Sequence, residues 1–196
     1  MSMSIAFILF AAAITPGPNN LVVMDAARRG LRATIAPITG IVLGTLALIL
    51  ALRFGLDVVL LAHPRVEDFL RVAAAFVLGY LAVRTVLAGW RKPPEDPNKI
   101  QAQKTLFFAM FSFQIINPKT WVLAGAVSTT HAAQPGAPLL PLLELAILVP
   151  VGCLSLWGAA GRLLGGVFQN PLMQKSLSLV FALIFALFAI ALVLKE

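Results

Sequence analysis

Thr15-Pro16-Gly17-Pro18-Asn19-Asn20 interrupts an apolar run that starts near Ser4, and about a hundred residues later Asn117-Pro118-Lys119 interrupts another. Proline lacks the backbone N–H that a helix needs and its ring clashes with the preceding turn, so each motif stops one helix and starts a second. Lipid offers no partner to the carbonyls freed in this way. A broken helix therefore survives in a bilayer only where protein or a watery cavity satisfies it. Two such breaks at corresponding depths, in corresponding spans of two halves, are the pattern of a duplicated carrier core in which both breaks line one site.

Bulk composition puts the rest of the chain in the same solvent. Hydrophobic residues are 60% of 196 and charged residues 12%, against roughly 45–50% and about 25% in ordinary globular domains. Mean hydropathy is +0.93. The net charge of +7 is scattered over short loops between apolar runs, where it reads as orientation signals and excludes a nucleic-acid partner. Cys153 is the single cysteine, which rules out an internal disulfide or a two-thiol electron relay. No motif calls for a cofactor or a resident metal.

Six spans of about 20 residues, enough to cross ~30 Å of hydrocarbon, are expected at 4–24, 35–52, 69–87, 105–128, 139–160 and 172–194. Met1-Ser2-Met3-Ser4 lacks the positive region of a signal peptide, so the first span is expected to be retained. Arg28, Arg29 and Arg32 follow the first span, Arg91, Lys92, Lys99 and Lys104 the third, and Arg162 and Lys175 the fifth. These loops are expected in the cytoplasm. Opposite them, Arg53, Arg65 and Arg71 are largely balanced by Asp57, Glu67 and Asp68, and residues 131–138 carry no Lys or Arg. Both termini then lie outside. Three spans per half force the halves into opposite polarity. The expected fold is an all-α integral membrane protein of six transmembrane helices, arranged as two inverted-topology three-helix repeats, 1–88 and 105–196, with broken first helices and a cytoplasmic linker at 89–104.

Each proline motif starts some 12 residues into its span, about 18 Å at ~1.5 Å per residue, so with opposite polarity both fall near the midplane. Gly17-Pro18 and Asn117-Pro118 each place a permissible cap residue before a proline at the first helical position. The candidate substrate-binding residues are accordingly Pro16, Gly17, Pro18, Asn19, Asn20, Asn117, Pro118 and Lys119. Helix starts near Asn19, Asn20, Lys119 and Thr120 favour a carboxylate, and Lys119 adds a full charge. Carbonyls freed by Pro16 and Pro18, together with Asn19 and Asn20, are expected to receive an ammonium group.

Thr15-Pro16-Gly17-Pro18-Asn19, Arg29-Gly30-Leu31-Arg32-Ala33-Thr34 with Gly40 and Gly44, Leu78-Gly79-Tyr80-Leu81-Ala82 leading to Gly89-Trp90-Arg91, and Ile116-Asn117-Pro118-Lys119-Thr120-Trp121 closely resemble the LysE/RhtB family of amino-acid exporters. The resemblance covers nearly the whole chain. It implies a carrier of the bacterial inner membrane that exports amino acids or close derivatives, driven by the proton gradient, nearest the branch for neutral, small polar or cysteine-type compounds. Its partners are then an amino-acid substrate and the lipid bilayer, and the chain leaves both a monomer and a homodimer open. Many members carry Asp where this chain has Asn19, so a coupling proton needs another seat. Asp25 is the first coupling candidate and Glu144 the second.

Simpler roles stand beside these. Asp25 can pair with Arg28 or Arg29, and Glu144 can reach the outer interface. Gly40-x-x-x-Gly44 and Gly161-x-x-x-Gly165 permit close helix packing. Tyr80, Trp121 and Trp157 suit a cavity border, packing or an interface. Among rival functions, a divalent-metal exporter lacks an intramembrane ligand set, with only His63 and His131 available. An intramembrane hydrolase would have to use Ser128 and His131, without an oxyanion-type glycine turn.

Overall fold

The structure, a computed structural model, describes residues 2–56, 58, 99–164 and 171–194 and isolated positions between 72 and 87. Most of the third expected span, residues 89–98, and Asp57, His63, Arg65, Glu67, Asp68, Arg71 and Gly165 lie outside the described residues. Two compact units divide the chain: Met1–Val59 with Asn98–Leu163, and Leu60–Pro97 with Leu164–Glu196. Every regular element among the described residues is helical.

In the first unit, helix α1 (Ser2–Ile14) stops at the first proline motif and α2 (Pro18–Arg28) starts with Pro18 at its first position, where the missing N–H would have had no helical partner. The two axes bend by 61°. After α2, Gly30 adopts φ 122, a region that favours glycine, and turns the chain into a short 3-10 helix, Leu31–Thr34, and then α3 (Ile35–Arg53). The second half repeats the plan with α4 (Lys99–Ile116), α5 (Pro118–Ala132) and α6 (Leu139–Leu163). Helix α4 starts at Lys99 rather than near 105, because Lys99, Gln101, Gln103 and Lys104 are good helix formers that extend the helix by a polar first turn ahead of the apolar run. The end of the expected linker is therefore helical.

Packing exchanges the two halves. Helix α3 lies along α4 and α5, while α6 lies along α1 and α2. Small residues allow both approaches: a Cβ at Gly40 would fall 2.5 Å from the Phe107 carbonyl oxygen, one at Gly44 2.6 Å from that of Phe111, and one at Gly161 2.5 Å from that of Met24. Ile5, Leu9, Leu48, Ile49, Leu52, Ala124, Val127, Leu142 and Ala146 form the core. Phe7, Phe108, Val122, Leu148 and Leu156 are exposed, an apolar exterior suited to lipid rather than to water.

Among the described residues, Leu31–Arg53 and Leu139–Leu163 are long and apolar enough to cross a membrane, and Met3–Ile14 with Pro18–Arg28 makes a third, broken span. In the second unit, α7 (Pro171–Leu194) has 24 residues, about 36 Å at the helical rise. Ala82 and Ala182 are buried together there, beside Val86, Ala186 and Ala189.

Candidate functional site

The two proline breaks meet. A cavity of about 40 Å³ is lined by Gly17, Pro18, Asn19 and Asn20 from the first break, Asn117, Lys119 and Thr120 from the second, and Ala12, Ala13, Ile41, Thr45, Leu123, Pro150 and Leu154 around them. Of the expected binding residues, Pro16 and Pro118 do not line it; they set the backbone that does. Pro150 sits inside α6, where it removes one helical hydrogen bond at the cavity wall.

The broken ends are satisfied by side chains, some local and some from the other half of the chain. Helices leave their last carbonyls without partners, and each one at the end of α1 has found one. The Thr15 hydroxyl donates to the carbonyls of Ala11 and Ala12. The Asn20 amide donates to the Ala13 carbonyl at 2.9 Å, and the Trp157 indole to that of Ile14 at 3.2 Å. Lys119 Nζ donates to the Thr15 carbonyl at 2.9 Å. Prolines at 16 and 18 free the carbonyls of Ala12 and Ile14, four residues back, and these are already taken by Thr15 and Trp157. The carbonyl that faces a cation is instead that of Thr15, and the cation is Lys119. At the second break the Trp121 indole donates to the Ile115 carbonyl at 2.6 Å. Both tryptophans thus cap broken ends, whereas Tyr80, in the second unit, is exposed.

The two helix starts differ. Asn117 caps α5, its Oδ1 accepting from the Lys119 backbone N–H at 3.2 Å. Gly17 gives α2 no side-chain cap, and the residues of that first turn, Pro18, Asn19 and Asn20, line the cavity.

Gln114 joins the breaks, and the sequence reading missed it. Completely buried, it exchanges two hydrogen bonds with Asn19, at 3.0 and 3.2 Å, accepts from the Thr120 hydroxyl at 2.8 Å, and donates to the Met110 carbonyl at 2.8 Å. Its one advance signal was an amide in the apolar run Phe111-Ser112-Phe113-Gln114-Ile115-Ile116, where a polar side chain needs a partner. Among the described residues, no buried side-chain nitrogen or oxygen is left without one.

Both coupling candidates stand apart from the cavity. Asp25 is 59% exposed and pairs with Arg28 at 3.3 Å and Arg29 at 3.7 Å. Glu144 is exposed on α6. The hydrolase arrangement does not form: the Ser128 hydroxyl donates to the Ile49 carbonyl at 3.0 Å, while His131 receives Arg53 on Nδ1 at 3.2 Å and faces the Pro138 carbonyl with Nε2.

Apolar helices with a broken span, packed around a small, mostly apolar cavity where two half-helix starts meet and a few polar groups converge, define a membrane translocator. This chain belongs to the LysE type translocator family, whose model matches residues 10–196; these are transporters, not enzymes. It is 28% identical over 181 residues, 88% of each chain, to the cysteine/O-acetylserine efflux protein of Escherichia coli strain K12. It is 28% identical over 182 residues, again 88% of each, to the protein of that name from Salmonella paratyphi A strain ATCC 9150. No solved structure matches the chain.

Proposed function

We propose that this translocator exports small amino acids and close derivatives, of the cysteine and O-acetylserine type, from the cytoplasm across the bacterial inner membrane. The observation that carries the reading is the meeting of both breaks in one cavity that holds a lysine ammonium and an uncapped helix start. A zwitterion in a low-dielectric cavity needs both charges met, since an unpaired one costs several kcal/mol. The first turn of α2 and Lys119 receive the carboxylate; the polar end of α1 receives the ammonium.

The six spans form two repeats of opposite polarity, with both termini outside. Support comes from the exchanged packing, in which each half's second span covers both pieces of the other half's broken span. Export is driven by protons through Asp25 or Glu144. Because neither lines the cavity, the proton acts at an end of the path rather than on the substrate.

Inside-out vesicles test the reading. They should accumulate labelled L-cysteine, and Lys119→Ala should weaken half-saturation by about 2 kcal/mol, roughly 30-fold, the loss expected on removing the buried partner of a charge. Lys119→Arg should restore only part of it, because the guanidinium is larger and planar. Uptake of cadmium or nickel without amino acids would replace the reading with metal export. Unchanged affinity in a normally inserted Lys119→Ala carrier would remove Lys119 from the site.

A further inference from the structure

The cavity holds no substrate-sized space, yet its lysine ammonium has an acceptor. About 40 Å³ is room for two or three waters, less than an amino acid needs. Lys119 lies along the cavity. Its chain starts at the second break, crosses Gly17, where a Cβ would stand 3.4 Å from Nζ, and ends on the Thr15 carbonyl at 2.9 Å. That carbonyl lies at the negative end of α1. Thr15, Asn20 and Trp157 cover the other carbonyls of that turn, so the Thr15 oxygen is the acceptor an incoming cation meets.

We infer that the Lys119 ammonium is a tethered substitute for the ammonium of the substrate: it occupies the Thr15 carbonyl in the empty carrier and is displaced by the substrate's own N–H donors, moving to the carboxylate. The inference rests on the cavity assignment made above and adds an order of events. A loaded carrier covers the Thr15 carbonyl with the substrate, an empty one with Lys119. Both can then close without exposing the end of α1 or leaving the lysine ammonium without an acceptor. The empty carrier can return, and net export follows. The required substrate class is a free primary ammonium; an N-acetylated amino acid offers no cation and should not displace Lys119.

Two consequences are measurable. Without the lysine the empty carrier loses its closure, so in Lys119→Ala net efflux of labelled L-cysteine into substrate-free buffer should fall at least tenfold more than exchange against saturating unlabelled L-cysteine. Lys119→Arg should bring that ratio back toward wild type, and N-acetyl-L-cysteine should support neither mode. The second measurement needs no transported substrate. Purified Lys119→Ala protein should be stabilised against heat by ethylammonium chloride, saturably, but not by tetramethylammonium, which has no N–H. Wild-type protein, its carbonyl occupied, should respond to neither. A wild-type carrier that ignores L-cysteine would sink the assignment of function and leave the ethylammonium result to judge the substitution. An unchanged ratio of net efflux to exchange, or equal responses of Lys119→Ala and wild type to ethylammonium, would overturn the inference.

Discussion

Replacing Gln114 with leucine keeps most of the volume and deletes the buried amide contacts between the two breaks, leaving, among the described residues, only the Lys119 hydrogen bond to the Thr15 carbonyl. Four hydrogen bonds are lost: two with Asn19, one from Thr120 and one to the Met110 carbonyl. Two scales apply. Orphaned buried groups in soluble proteins cost about 1–3 kcal/mol each, whereas interhelical hydrogen bonds in membrane proteins average about 0.6 kcal/mol, because the unfolded state in the membrane also finds partners. The lower scale should govern. Asn19 and Thr120 both line the cavity, so water can reach groups that Gln114 abandons, and Met110 keeps its backbone helical bond. Three of the four bonds are interhelical, so Gln114→Leu is expected to lose about 2 kcal/mol in reversible unfolding from detergent micelles. Gln114→Glu keeps an acceptor for Asn19 and Thr120 and should lose less. A double-mutant cycle of Asn19→Ala with Gln114→Ala should give a coupling near 1 kcal/mol. A loss under about 0.5 kcal/mol with no coupling would refute the claim that Gln114 joins the breaks.

Other expectations follow from topology, packing and coupling. With Cys153 replaced, single cysteines at Asn98 and Gln134 should label from opposite sides of the membrane; labelling from one side would end the inverted arrangement. Gly44→Leu should separate α3 from α4, since even a Cβ would come within 2.6 Å of the Phe111 carbonyl oxygen; a loss of about 1–3 kcal/mol should appear as lower thermal stability in detergent. Asp25→Asn removes two surface ion pairs and should change stability by under about 1 kcal/mol, yet it should abolish uphill export while sparing exchange. Full accumulation in both Asp25→Asn and Glu144→Gln would eliminate these carboxylates as proton carriers.

What could be read in advance was the set of local events. Proline dictates its own consequences within four residues, so α2 starts at Pro18 and α5 at Pro118, and Asn117 was identifiable as a cap because an Asx side chain reaches only its neighbouring N–H groups. Gly40 and Gly44 were legible as a packing stripe because their spacing puts both on one face of α3. The partners of the broken ends were not. Trp157 and Ile14 are 143 residues apart, and Asn19 and Gln114 are 95 apart; such pairs exist only once the bundle has closed. The same distance explains why Lys119 was expected to wait for a carboxylate and is found on the Thr15 carbonyl.

The two breaks, alike in sequence, are built for different duties. At the second, one residue separates two helices, and Asn117 caps the start of α5 with its own side chain. Its geometry is self-contained. At the first, Thr15, Pro16 and Gly17 all lie between helices bent by 61°, the start of α2 has no side-chain cap, and two of the contacts holding the end of α1 come from α5 and α6. A self-capped break keeps its shape whether or not a ligand is present. A break capped by other helices changes its contacts whenever those helices move or a ligand competes. On the proposed reading, the second break is expected to act as the fixed platform that carries Lys119, and the first as the part that responds. Giving α2 its own cap tests this division: Gly17→Ser would supply a hydroxyl acceptor to the first turn, and a serine Cβ would stand in ordinary contact, 3.4 Å, with Lys119 Nζ. The variant should fold and insert with little change, since Gly17 has an extended backbone, φ −172 and ψ 179, that any residue adopts. Its affinity for L-cysteine should nevertheless fall several-fold, because the new hydroxyl competes with the carboxylate for the same N–H groups. Wild-type affinity in Gly17→Ser would show that the start of α2 does not bind the carboxylate.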